Sequence, residues 1–137
     1  MARESLASGT RVAALGMVID QQPVHLAGLK VEGGQLLQDA RWGARADHFA
    51  PLRSLLTAGI PLAFSSDSND VDDTANPFLH IMIAVGYPRR PDEALTREQT
   101  LMAYTAGGAY AEREETRKGR IGVSGRPTVP WCAVEAA

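Results

Sequence analysis

The stretch from Pro51 to Asp73, PLRSLLTAGIPLAFSSDSNDVDD, constrains the fold more than any other part of the chain. Phe49, Leu52, Leu55 and Leu56 recur at the spacing of one helix face, and Gly59 stands where such a helix ends. Ile60 to Phe64 is an apolar run too short for a helix and rich in large side chains, which predicts a buried strand. Helix, glycine turn and buried strand in succession form a unit of a parallel α/β sheet, where chemistry sits beyond the carboxyl ends of the strands. Asp67 occupies that position. It is either a functional carboxylate or the start of an Asp-Ser-Asn turn that caps the next segment, and spacing admits both.

The same order precedes it. Ala2 to Leu15 is predicted to be a helix ended by Gly16, and Met17 to Ile19 a short strand. Asp20 to Pro23 closes that strand, because Pro23 cannot donate to a ladder. His25 follows directly. Two successive helix–strand–loop units predict parallel strands, not a meander. His25 and Asp67 then share one rim of the sheet, where such a pair can exchange a proton or contribute to a divalent metal site. An ordinary loop histidine is the other reading of His25. Two groups fall short of the three protein ligands usual for catalytic zinc.

The remaining segments are less regular. Residues 26–46 contain Gly28, Gly33, Gly34 and Gly43 and keep no period, as in an active-site loop or a segment whose packing partners lie elsewhere. Trp42 is expected to be a packing anchor or to face substrate, and His48 to be a surface or capping residue. Asn76 and Pro77 are suited to open a helix. Phe78 to Val85 is apolar on nearly every side and is predicted to be buried all round, with His80 as a satisfied core histidine or a ligand. Thr96-Arg97-Glu98-Gln99 is a capping-box pattern for a helix through Tyr104. Gly107 and Gly108 are expected to interrupt it and to admit a neighbouring backbone. Ala111 to Arg120 should face solvent, and the tail with Pro127, Pro130 and Trp131 shows no element.

Composition excludes several functions. A net charge of −2 offers no electrostatic footprint for nucleic acid. The lone Cys132 forms no intramolecular disulfide and fits a reducing, cytoplasmic compartment. No apolar run approaches the roughly 18 residues of a membrane span, and MARESLASGTR lacks the apolar core of a signal peptide. The acidic stretch beginning at Asp67 fails the calcium-loop pattern, since Val71, Asp72 and Phe78 fall where a ligand, a glycine and a glutamate belong. There is no phosphate-binding glycine loop and no nucleophile elbow.

Taken in order, Gln22-Pro23-Val24-His25-Leu26, Pro51 to Leu56, Ala58 to Ala63 and Ser66-Asp67 resemble the late barrel segments of metal-dependent amidohydrolases. The likeness is to the amidohydrolase-3 group, which includes N-substituted formamide deformylase-like proteins. Ala94 to Glu98, Ala103-Tyr104-Thr105, Gly107 to Ala111 and Arg117-Lys118-Gly119 are similar to that group too, so the likeness runs from Val12 to Gly119. It implies a (β/α)8 barrel with a small β-sandwich, in which one or two divalent metals, zinc foremost, activate water against an amide, N-formyl or N-acyl C–N bond. Such a barrel takes about 250 residues. At 137 residues the expected fold is therefore a partial TIM barrel. Residues 1–119 would supply the seventh and eighth strands with their helices, and residues 120–137 a divergent, irregular tail.

By this resemblance Asp67 matches the aspartate after the eighth strand, which contacts metal and takes a proton from water. His25 matches the histidine after the seventh strand and faces substrate. The HxH pair of the first strand, the bridging residue of the fourth and the histidines of the fifth and sixth have no counterpart. The expectation is a fragment, inactive alone, whose partners are a small-molecule amide and either a complementing barrel segment or a second copy. A non-catalytic interaction domain is the alternative. Neither nucleic acid nor membrane is expected as a partner.

Overall fold

The computed structural model describes residues 9, 11–27, 36–67 and 75–121. After a helical turn at residues 11–14, strand β1 (Ile19–Gln21) leads into a single helical turn, α1 (Val24–Ala27). Helix α2 (Leu37–Trp42) runs on into a 3-10 turn (Gly43–His48). Helix α3 (Leu52–Thr57) precedes strand β2 (Leu62–Phe64). Helix α4 (Pro77–Gly86), a 3-10 turn (Pro91–Glu93) and helix α5 (Arg97–Met102) follow. A π-helical turn (Ala103–Gly107) joins α5 to helix α6 (Gly108–Ala111).

The strands pair in parallel, with Ile19 opposite Leu62, Asp20 opposite Ala63 and Gln21 opposite Phe64. Both begin two residues later than the apolar runs predict. The reason lies in the preceding helices. Met17 N–H donates to Val12 O at 3.3 Å and Ile60 N–H to Leu55 O at 3.0 Å, so these donors close helical turns instead of entering the ladder. Gly59, at φ +75°, makes the reversal after α3 in a left-handed conformation that a side chain would oppose.

The core gathers Leu26 of α1, Leu52 of α3, Leu62 and Phe64 of β2, and Tyr87 and Leu95 from the segment after α4, with Ile19 of β1 packed against them. Leu52 and Tyr87 are fully buried, and the Tyr87 hydroxyl donates to Phe49 O at 2.9 Å. Helix α4 starts as its sequence predicts, with Asn76 Oδ1 accepting from Phe78 N and Leu79 N and Pro77 in the first turn. It is not buried all round. Phe78 is 73% exposed and Met82 65%, while His80 and Ala84 face inward. Among the described residues α4 packs mainly on α1 and α5, and a two-stranded sheet offers no layer to cover its opposite face.

The capping box is present. Thr96 Oγ1 accepts from Gln99 N, and Gln99 Oε1 accepts from Thr96 N. The helix it starts does not stop at Gly107 and Gly108, which keep helical dihedrals (φ −63° and −61°). The close approach expected there does occur, because a Cβ on Gly107 would run into the carbonyl oxygen of Leu62 in β2.

Residues 36–48, unreadable by periodicity, are organised by distant partners. The Arg89 guanidinium reaches Asp39 Oδ1 at 2.5 Å, Asp47 Oδ1 at 3.2 Å and Ala46 O at 2.5 Å. Trp42 is half-exposed and packs its ring on Phe49 with centroids 5.4 Å apart, and His48 is exposed at the end of the 3-10 turn. The charged run after α6 is largely solvent-facing, except Gly119, which sits against Ala109 and Thr105. Gly28, Gly33, Gly34, Asp70, Asp72, Asp73, Trp131 and Cys132 lie outside the described residues. No helix among the described residues is long and apolar enough to cross a membrane.

Candidate functional site

Parallel pairing brings both strand ends to one rim. Beyond β1, Gln22 and Pro23 turn the chain into α1, whose first bonds run from His25 N and Leu26 N to Gln22 O and Pro23 O, each at 3.0 Å. Beyond β2, Ser65 continues the ladder by donating its N–H to Gln21 O at 3.1 Å, and Ser66 leads to Asp67. The two turns meet: His25 Nε2 lies 3.1 Å from Asp67 Oδ2. A carboxylate only accepts, so His25 presents an Nε2–H here. Gln38 Nε2 donates to His25 O at 3.1 Å and ties α1 to α2.

Asp67 holds φ at +49°, a left-handed conformation that Asp tolerates better than most residues. Side-chain exposures of 43% for His25 and 64% for Asp67 leave the pair open to solvent. Such exposed pairs contribute about 0–1 kcal/mol to stability. Holding the fold together therefore does not account for it.

Behind the rim lies a polar chain that sequence reasoning did not single out. Ser65 Oγ donates to Asp20 Oδ2 at 2.7 Å, and Gln22 Nε2 donates to the same oxygen at 3.2 Å. The Tyr104 hydroxyl reaches Ser65 O at 3.4 Å and is hydrogen-bonded to His80 Nδ1, while its ring meets Phe64 edge-on with centroids 5.5 Å apart. His80 is fully buried, a core histidine as its apolar helix implies. A cavity of about 510 Å³ opens here, lined by Asp20, Phe64, Ser65, Ser66, Pro77 and Tyr104. Its size is in the range of small-molecule clefts. Asp20 was readable only as the residue that closes β1, and nothing local in the sequence links it to Ser65.

Burial raises the Tyr104 phenol above its ordinary value, and the nearby Asp20 carboxylate pushes the same way. Tyr87 is raised too, by burial first, against the lowering influence of Arg90 and Arg89. Both groups hold their protons more tightly folded than unfolded. Their contribution to stability is thus complete below the unfolded phenol value near 10 and is lost as pH rises through the elevated folded values. In a Tyr110→Phe background, the alkaline absorbance rise at 295 nm should coincide with loss of far-UV circular dichroism. A full rise with the helical signal intact would contradict the burial of these phenols.

The donors present limit what the rim can do with a metal. Among the described residues no group of three His, Cys, Asp or Glu side chains is placed to hold an ion. His25 and Asp67 supply two donors where catalytic zinc usually takes three. The described residues do not by themselves make a metal site.

Comparison with known proteins gives the frame for this rim. A model of the amidohydrolase family matches residues 7–126. The chain is 29% identical over 119 residues to an N-substituted formamide deformylase of Arthrobacter pascens, an alignment that covers 82% of this chain and 21% of that protein. The chain thus spans about a fifth of the length of the curated relative it matches. No solved structure gives a significant match. With its match over most of its length, the chain belongs to the amidohydrolase family, in the amidohydrolase-3 group.

Proposed function

We propose that this chain serves in the hydrolysis of a non-peptide C–N bond, in a small N-formyl or N-acyl amine, as the seventh and eighth strands of an amidohydrolase barrel. This reading assigns residues 1–119 to that portion and treats residues 120–137 as a divergent tail. The observation that carries the reading is the 3.1 Å approach of His25 Nε2 to Asp67 Oδ2 at the carboxyl rim of two parallel strands.

Amide hydrolysis needs a proton taken from the attacking water and a proton given to the departing nitrogen as the C–O bond forms and the C–N bond breaks. A carboxylate at the rim can do both in turn. His25 anchors Oδ2 of Asp67, which assigns the proton exchange to Oδ1. The reading also gives His25, exposed at the same rim, the substrate-facing role. The family is generally metal-dependent. The described residues fall short of a metal site, so the other ligands would come from further barrel segments, and alone the chain would be inactive.

The test is complementation. The chain is combined with the formamide deformylase lacking its matching segment, and amine release from N-substituted formamides is followed. Amine release by the wild-type pairing, reduced about 10²–10⁴-fold by Asp67→Asn, is the expected result. An Asp67→Asn pairing as fast as wild type would sink the assignment.

A second reading is a non-catalytic, self-associating domain. It is favoured by the exposed Phe78, Met82, Leu101 and Met102 on α4 and α5. That reading expects concentration-dependent oligomers in sedimentation and no amine release in any pairing.

A further inference from the structure

Ser65 is held from three directions within two residues of Asp67. Its N–H donates to Gln21 O at 3.1 Å, its hydroxyl to Asp20 Oδ2 at 2.7 Å, and its carbonyl lies 3.4 Å from the Tyr104 hydroxyl. The first two contacts come from β1 and follow from strand pairing. The third comes from the π-helical turn, 39 residues along the chain. Asp67 then departs at φ +49°, a backbone state that costs an ordinary residue of order 1 kcal/mol and persists only where its surroundings over-determine it.

We infer that Tyr104, backed by His80, is a positioning residue for the rim pair, holding the Ser65 carbonyl so that the left-handed turn delivers Asp67 to His25. Three observations support it. The hydroxyl of Tyr104 is clamped on both sides, by Ser65 O and by His80 Nδ1. The Tyr104 ring is fixed edge-on against Phe64, the last residue of β2, so the hydroxyl cannot swing away without breaking an aromatic contact. The clamp also has a defined proton arrangement. A carbonyl only accepts, so the phenolic hydrogen points to Ser65 and His80 donates from an Nδ1–H tautomer. Burial keeps the phenol protonated and able to donate. Wide π turns recur at functional sites, and this one sets Tyr104 over the end of β2 and Gly107 over its start.

The inference rests on the reading of His25 and Asp67 as the working pair, but its test is independent of turnover. The 137-residue chain is labelled with ¹⁵N-histidine, and the resonances of His25, His48 and His80 are assigned by single substitutions. Asp67→Asn defines the His25 Nε2 signal without its carboxylate partner. Tyr104→Phe keeps the ring and removes the hydroxyl. It is expected to move the His25 signal more than half of the way to its Asp67→Asn position, with amide dispersion unchanged.

A second pair of variants separates positioning from packing. His80→Phe, which cannot donate to the phenol, should move His25 in the same direction. His80→Asn, which keeps an N–H near the Nδ1 position, should restore the wild-type signal. A folded Tyr104→Phe chain with His25 at its wild-type position overturns the inference. If Tyr104→Phe does not fold, a folded His80→Phe chain with an unmoved His25 signal overturns it equally. An Asp67→Asn pairing with undiminished amine release would instead count against the proposed function and leave the positional result standing.

Discussion

Gly107→Ala is expected to destabilise the folded state by more than about 3 kcal/mol. A Cβ at this position collides with the carbonyl oxygen of Leu62, and the Leu62 carbonyl carbon and Met102 O lie 3.2 and 3.3 Å away. All of these are backbone atoms, and Leu62 is fixed in the parallel ladder. No rotamer change relieves the clash, so the helix must lift off β2. Overpacking in a core costs about 1–3 kcal/mol where side chains can adjust, and more where they cannot. A loss above about 3 kcal/mol is a large share of the 5–15 kcal/mol typical of a whole domain. Gly108→Ala provides the contrast. It has nothing within 4 Å and helical dihedrals, and should gain up to about 1 kcal/mol from helix propensity. Urea denaturation followed by circular dichroism distinguishes them, and a Gly107→Ala chain as stable as wild type would show that the helix does not lie on Leu62.

Glu93→Ala should cost about 3 kcal/mol. Glu93 is 5% exposed and accepts from Ser54 N at 2.8 Å, Ser54 Oγ at 2.5 Å and Arg90 Nη2 at 3.4 Å. Ser54 lies in the first turn of α3, where backbone donors have no partner within the helix. A carboxylate from the connector after α4 therefore supplies what the local sequence omits. Arg53 of the same turn donates to Ala94 O through Nε at 3.0 Å and Nη2 at 2.5 Å, which fastens the other side of the joint. Removing the carboxylate leaves both Ser54 donors without their acceptor, while Arg90 keeps Asp92 and the Asp47 carbonyl. Glu93→Gln keeps an acceptor for Ser54 and should lose only about 1 kcal/mol. If the alanine variant lost under about 1 kcal/mol by denaturant midpoint, water would be satisfying Ser54 and the joint would be peripheral.

Glu93 also marks where sequence reading ended. Local pattern sufficed for α3, the Gly59 reversal, the Asn76 cap and the Thr96 box, because each is decided within a few residues. The meeting of His25 and Asp67 was legible through one topological rule, that helix–strand–loop units stack their strands in parallel and share a rim. Register was not legible, since it depends on Met17 and Ile60 lending their N–H groups to the helices behind them. Glu93 with Ser54, Tyr104 with Ser65 and His80, and Arg89 with Asp39 each join residues 24 or more positions apart. No period records such pairs. Helix α4 misled for a different reason: an all-round apolar helix predicts burial only if there are enough layers to bury it, and the described chain has one small sheet.

The left-handed backbone of Asp67 bears on how its chemistry can be isolated. At φ +49°, Gly and Asn inherit the turn without opposition, whereas Val or Ile would force the backbone to another basin and carry His25's partner away with it. Deleting the carboxylate by Gly or Asn therefore reports on the acid alone, and a β-branched replacement reports on the loop. At this position the functional group and the conformation that presents it can be removed one at a time.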